Sequence, residues 1–251
     1  MNKSNTIYAV GIGPGDLSLL APKAKAVLHQ SDVIVGYTRY VELIHDIIED
    51  KHEIVSTGMK QEIDRCRIAL DKALEGKMVS VISSGDAGIY AMAGLLFEMM
   101  EEEKYSDLNL EVIPGITAAT AAAAVLGAPL MNDFATISLS DLLTPREVIL
   151  KRIKAIAEAD MVCILYNPRS KKRTELFEQV IEIFKKQCEN RVFGTVKNAA
   201  RNNQENHIGY LNELAVDQVD MCTVVVIGNS NTVLKNNRIY TTRGYKNKYD
   251  L

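Results

Sequence analysis

The chain has 251 residues, 47% of them apolar and 24% charged, with a net charge of −3. That length suits one large or two ordinary domains, and the composition supplies a buried core. No apolar run reaches the roughly 18 residues of a membrane span, no basic-then-apolar leader marks a signal peptide, and a pI near 5.9 carries no basic excess for nucleic acid.

Residues 6–12 (TIYAVGI) are expected as a strand. Pro22 suits the first position of a helix running to about Gln30, where its missing N–H costs nothing. Strands are expected at 32–36 and 53–56. A helix over 61–76 places Ile63, Cys66, Ala69, Leu70 and Ala73 on one face and ends at Gly76. A buried strand follows at 78–83, a helix at 88–103, a strand at 110–113, and an alanine-rich helix at 116–126 stopped by Gly127 and Pro129. Beyond it lie a strand at 135–140, a capping box in Thr144-Pro145-Arg146-Glu147 with proline at the first helical position, a strand at 161–166 and a helix at 170–187. Strands at 191–196, 206–211 and 222–228 complete a second sheet. The expectation is α/β throughout, in two α/β lobes, 1–130 and 131–251.

Cys66, Cys163, Cys188 and Cys222 stand far apart without a C-x-x-C pair, which argues against zinc or iron–sulfur clusters and disulfides and fits a cytoplasmic chain. Cys163 and Cys222 fall in apolar runs and are expected in the core. His29, His45, His52 and His207 show no ligand spacing and are read as structural. No metal site is expected.

The first turn, Gly11-Ile12-Gly13-Pro14-Gly15-Asp16, looks like a dinucleotide loop but breaks the pattern. Asp16 replaces the third glycine, and Pro14 removes an N–H from the phosphate nest. Asp32 stands on the wrong side of its strand for a ribose. Three other turns share its place at a strand's carboxyl end, where α/β sheets bind ligands: Ser83-Ser84-Gly85-Asp86-Ala87-Gly88-Ile89-Tyr90, Pro114-Gly115-Ile116-Thr117-Ala118 and Tyr166-Asn167-Pro168-Arg169-Ser170. Each alone serves as well as a plain connection; four together indicate a ligand cleft.

In this order the turns resemble those of the tetrapyrrole methylases, over essentially the whole chain. Ile137-Ser138-Leu139-Ser140-Asp141-Leu142-Leu143-Thr144-Pro145 is the most specific run. With Gly36-Tyr37, Gly58-Met59, Ala128-Pro129-Leu130-Met131, Asp133-Phe134, Ile227-Gly228-Asn229-Ser230 and Arg243-Gly244-Tyr245, it is similar to the precorrin-3B carbon-17 branch of cobalamin synthesis. The resemblance implies two lobes with the active-site cleft between them, S-adenosylmethionine as methyl donor, a tetrapyrrole substrate and a homodimer. It implies cofactor contacts at Pro14, Ser84, Gly85, Asp86, Ile89, Thr117, Ala118, Asn167 and Ala199. Ring contraction through a lactone calls for acid–base help, with Asp16, Asp86, Ser140 and Asp141 as candidates. Gly13 lines the substrate side, and the basic run Arg169, Lys171 and Arg173 is a candidate dock for substrate carboxylates, or else a solvated turn. Arg39, Lys60, Arg65, Arg146 and Arg201 are weaker candidates. Asp86 serves equally as a helix cap.

Arg146 stands where relatives commonly carry tryptophan, Asn132 where a histidine is common, Thr242 for a proline and Ala21 for a threonine cap. Competing readings are methylation of another tetrapyrrole carbon, of protein or of RNA, a nicotinamide-linked oxidoreductase, and a sensor that binds the donor without turnover.

Overall fold

A computed structural model describes residues 5–170 and 173–250. By internal packing the chain divides into two compact units, 1–118 and 119–251. The expected boundary at 130 differs by one helix, which packs with the second unit.

The first unit contains β1 (Thr6–Gly11), α1 (Pro22–Gln30), β2 (Val33–Tyr37), α2 (Thr38–Leu43), β3 (Glu53–Thr57), α3 (Glu62–Leu74), β4 (Val79–Ser83), α4 (Ala93–Met99) and β5 (Asn109–Ile113). All five strands are parallel, in the order β3-β2-β4-β1-β5. Such a sheet is covered on both faces, which is why its strands read as unbroken apolar runs. Ile7 and Ala9 pack with Val33, Val35 and the α3 residues Cys66, Ala69 and Leu70. Tyr8, Val10 and Ile12 face the other way, against Leu28 of α1 and Ile34. Burial in that first layer pushes the Cys66 thiol up to about 12, so it is an inert core group.

The second unit contains α5 (Ala118–Leu126), β6 (Gly127–Ala128), β7 (Phe134–Ser138), α6 (Arg146–Glu158), β8 (Val162–Tyr166), α7 (Glu175–Gln187), β9 (Val192–Lys197), β10 (Glu205–Tyr210), β11 (Thr223–Ile227), β12 (Thr232–Lys235) and β13 (Arg238–Thr241). Its main sheet runs β10-β9-β11-β8-β7, with only β7 and β8 parallel. The apolar stripes of α6 and α7 bury Ile149, Ile153, Phe177, Val180 and Phe184 against Cys163, Leu165, Phe193 and Val225. A small sheet, β12-β13-β6, closes the unit.

Four expectations change. The helix over 88–103 shrinks to α4, because Tyr90 takes a left-handed φ of 52° that no helix continues through. The capping box at 144–147 is absent: Pro145 is itself the N-cap of α6, with no side-chain cap bond. The helix expected from 170 begins at Glu175, so the basic run precedes it and Glu175 and Glu178 fill its first turn. Cys163 is buried, but Cys222 is exposed just ahead of β11, its N–H bound to Asp220 Oδ1 at 2.9 Å.

Candidate active site

The first three turns all lie at the carboxyl ends of neighbouring strands β4, β1 and β5. They are knitted backbone to backbone. Gly13 N–H donates to the Gly85 carbonyl at 3.0 Å, and Gly85 N–H donates back at 2.7 Å. Ile12 N–H reaches the Ser83 carbonyl at 2.9 Å. A Cβ on Gly11 would stand 2.7 Å from Gly115 N, and one on Gly115 would overlap the Gly85 carbonyl oxygen. Gly13 and Gly85 sit at φ of 76° and 75°, conformations that only glycine takes freely.

Asp86 fastens two of these turns. Its Oδ1 accepts Gly88 N–H at 2.8 Å and its Oδ2 accepts Gly115 N–H at 2.9 Å. It is a brace between turns and not the cap of α4, whose N-cap is Met92. Asp16 instead caps the short turn Leu17–Leu19 and is exposed. The Ser18 N–H, 2.8 Å away, holds its carboxyl below the usual carboxylate range. Pro14 is buried, and Ser84, Thr117 and Ala118 are half-buried. Ile89 (39%) and Ile116 (38%) expose apolar side chains on the same turns. Ser83 Oγ is buried at the end of β4 without a hydrogen-bond partner.

A dinucleotide reading fails on this geometry. Asp32, the nearest acid for a ribose, accepts Met78 N–H at 2.8 Å before β2 begins. The turn that would hold a pyrophosphate spends its Gly13 N–H on Gly85.

In the second unit the turns after the parallel pair β7 and β8 meet through side chains. Asn167 has a left-handed φ of 50°. Its Nδ2 donates to Ser138 Oγ at 3.0 Å, and Ser140 N–H also reaches that oxygen at 3.3 Å. The Asn167 carbonyl accepts Arg173 Nη2 at 3.1 Å, while Arg173 Nη1 pairs with Asp141 Oδ1 at 3.2 Å. Arg169 Nη1 donates to the Asp217 carbonyl at 3.0 Å. Lys171 lies outside the described residues. The structure therefore brings together Ser140, Asp141, Asn167 and Arg173, in a network whose centre, Ser138, sequence reasoning passed over. The signal was present: Ser138 stands in the most specific run, one pleat from Ser140.

Ala199 is buried in the turn after β9, flanked by Asn198 and Ala200 at φ of 53° and 55°. Left-handed alanine is costly and is held here by Ala200 N–H on Gln204 Oε1 at 2.8 Å. The run Ile227-Gly228-Asn229-Ser230 builds a corner: Ser230 N–H and Oγ bond Asp160 at 3.0 and 2.5 Å. Arg65, a weaker candidate for substrate, is buried, with Nε on Thr57 Oγ1 at 2.7 Å and Nη2 on the Gly58 carbonyl at 2.9 Å. Among the described residues no group of three or more His, Cys, Asp or Glu is placed to hold a metal, and no helix is long and apolar enough to cross a membrane.

An all-parallel sheet with glycine turns at its carboxyl ends, followed by a mixed sheet with its own turn pair, defines the class. The family model of the tetrapyrrole (corrin/porphyrin) methylases matches residues 6–215, and the chain belongs to that family. It is 43% identical to a Salmonella typhimurium protein named probable cobalt-factor III C(17)-methyltransferase, over 95% of this chain and 99% of that one. It is also 43% identical to a Priestia megaterium protein named cobalt-factor III methyltransferase, over 98% of this chain but only 46% of that one, so it spans about half of that relative's length. The crystal structure of the methyltransferase CobJ superposes with a TM-score of 0.90 at 38% identity, covering 94% of this chain and 99% of CobJ.

Proposed function

We propose that this protein methylates carbon 17 of a precorrin-3-type tetrapyrrole, precorrin-3B or its cobalt-bearing counterpart, with contraction of the ring, in cobalamin synthesis. The observation that carries the reading is the end-to-end match, at 43% identity, to a relative named for that reaction. The most specific run, 137–145, supports it: its Ser138 and Asp141 join the Asn167 turn.

S-adenosylmethionine supplies an electrophilic methyl group on its sulfonium sulfur. The residues of the first unit fit such a molecule. A Cβ on Gly85 would fill a cradle against Thr117 Cα at 3.6 Å and Ala118 N at 3.7 Å, and Ser83 Oγ offers an unanswered hydroxyl beside it. Pro14, Ser84, Gly85, Ile89, Thr117 and Ala118 hold the donor in this reading, and the sequence resemblance adds Asn167 and Ala199 as donor contacts. Ile89 and Ile116 supply apolar walls for an adenine. Asp86 acts through position, keeping the Pro-Gly turn against the cradle. Holding two reactants in line contributes roughly 7–11 kcal/mol towards such a transfer. Of the four acid–base candidates, Asp16 is the exposed carboxylate; the Ser18 hydrogen bond that lowers its pKa keeps it ionised and makes it a weaker base. Ser140 and Asp141 are tied to the Asn167 turn. Gly13 and Arg169 remain on the substrate side. The same reading makes the protein a cytoplasmic homodimer.

An oxygen-free incubation with S-adenosylmethionine and a panel of tetrapyrroles tests the reading. The expected product gains one methyl group by mass, with the absorbance change of a contracted ring. Gain on a cobalt species assigns the anaerobic branch, and gain on metal-free precorrin-3B alone assigns the aerobic one. Methylation of an earlier intermediate only would move the assignment to another carbon.

A further inference from the structure

The basic run ahead of α7 invites a docking role, yet its described arginines turn inward. Arg173 keeps only 15% of its side chain exposed. One guanidinium reaches three separate segments: Asp141 Oδ1 after β7 at 3.2 Å, the Asn167 carbonyl after β8 at 3.1 Å, and Met221 Sδ ahead of β11 at 3.6 Å. Ser170 and Arg173 also exchange backbone hydrogen bonds at 3.0 and 3.2 Å, so the arginine is fixed at its root. Arg169 spends its Nη1 on the Asp217 carbonyl of the same neighbouring segment. Both Nη groups of Arg173 are committed within the chain, and its Nε, although without a partner, is buried, so the fork presents little to a substrate carboxylate.

Asn167 receives such a hold. It carries a left-handed backbone, which asparagine tolerates better than most side chains, and two further bonds fix it there. Its side chain is tied to Ser138 and its carbonyl to Arg173. We propose that Arg173 is a positioning residue, clasping Asp141 and the Asn167 carbonyl so that the Asn167 turn is preset for the methyl donor. The proposal rests on the methyl-transfer reading for its ligand, but the clasp itself does not.

The test uses the full chain and the demethylated product S-adenosylhomocysteine as probe, with calorimetry for its Kd and an absorbance titration for tetrapyrrole affinity. Arg173→Gln is expected to raise the S-adenosylhomocysteine Kd about tenfold and leave tetrapyrrole affinity within about twofold. Arg173→Lys, whose single nitrogen lacks the span of the two Nη groups, is expected to fall between, near threefold. Asp141→Asn retains an acceptor oxygen, serves if the arginine variant fails to fold, and is expected to cost about two- to threefold. Loss of tetrapyrrole affinity with unchanged S-adenosylhomocysteine Kd overturns the proposal in favour of docking, and no change in either also overturns it. Hydrogen exchange reads the clasp without any ligand: peptides covering 138–141 and 166–170 should exchange faster together in Arg173→Gln, with β11 unchanged. Should the wild-type chain bind no S-adenosylhomocysteine, the methyl-transfer reading falls, and the exchange result alone decides whether the clasp exists.

Discussion

In the first unit the turns after β1, β4 and β5 touch backbone to backbone, with Gly11 and Gly115 too close to each other and to the Gly85 carbonyl for a Cβ on either. In the second, the turns after β7 and β8 touch through Ser138, Asn167, Asp141 and Arg173. The first arrangement is fixed by the absence of Cβ atoms and is all-or-none. The second is a set of separate hydrogen bonds, each worth about 0.5–1.5 kcal/mol net, so it can be weakened by degrees.

That contrast can be broken at several strengths. Gly115→Ala places a methyl group on the Gly85 carbonyl oxygen and Gly11, neither of which is a flexible side chain. The expected cost is about 3 kcal/mol or more, at the upper end for overpacking, read as a collapsed thermal midpoint or loss of soluble protein. Gly85→Leu separates fold from binding. Its Cβ would make only ordinary contacts at 3.6–3.9 Å, and its left-handed φ costs about 1–2 kcal/mol. The chain should stay folded by circular dichroism while calorimetry shows no S-adenosylhomocysteine binding; normal binding would remove this turn from the site. Asn167→Ala loses the Ser138 bond and keeps a disfavoured backbone, for about 1–2 kcal/mol. Asn167→Gly should recover part of that in chemical denaturation, because it relieves the backbone alone.

The smallest effect concerns acid. Burial pushes the Asp160 carboxyl up, but Ser230 and the Arg191 guanidinium outweigh it and hold the group below its ordinary value. A carboxyl with a depressed folded-state pKa contributes stability above its unfolded value, about 3.9, and that contribution is lost as pH falls through the folded value. Asp160→Asn should therefore lower stability modestly at pH 7, where that contribution is fully present and Arg191 loses its carboxylate partner, and change little at low pH, so that the fall in stability on acidification is shallower, as followed by circular dichroism across a pH series.

Much of the fold was legible. The parallel strands announce themselves as apolar runs because both faces are buried, and Pro22 marks the start of α1 as expected. The 88–103 helix was overextended because its apolar spacing continues through Tyr90, and a left-handed residue leaves no trace in periodicity. The β12–β13 hairpin was overlooked although it had a signal: Asn236-Asn237, both left-handed, between alternating T-V-L-K and R-I-Y-T. In the site, glycine positions could be read because glycine has few reasons to recur at strand ends. The pairing of Asp141 with Arg173, 32 residues away, could not, because charge alone names no partner.

The two-residue strand β6 has a consequence for how the protein is made. Gly127 and Ala128 pair with Ile239 and Tyr240, and Thr241 Oγ1 donates to the Pro129 carbonyl across 112 residues. At a typical synthesis rate the early partner waits on the order of ten seconds for the late one. Through that interval β6, at the end of the alanine-rich helix, lacks the strand that pairs with it, so the small sheet of the second unit closes only after residues 239–241 have been made.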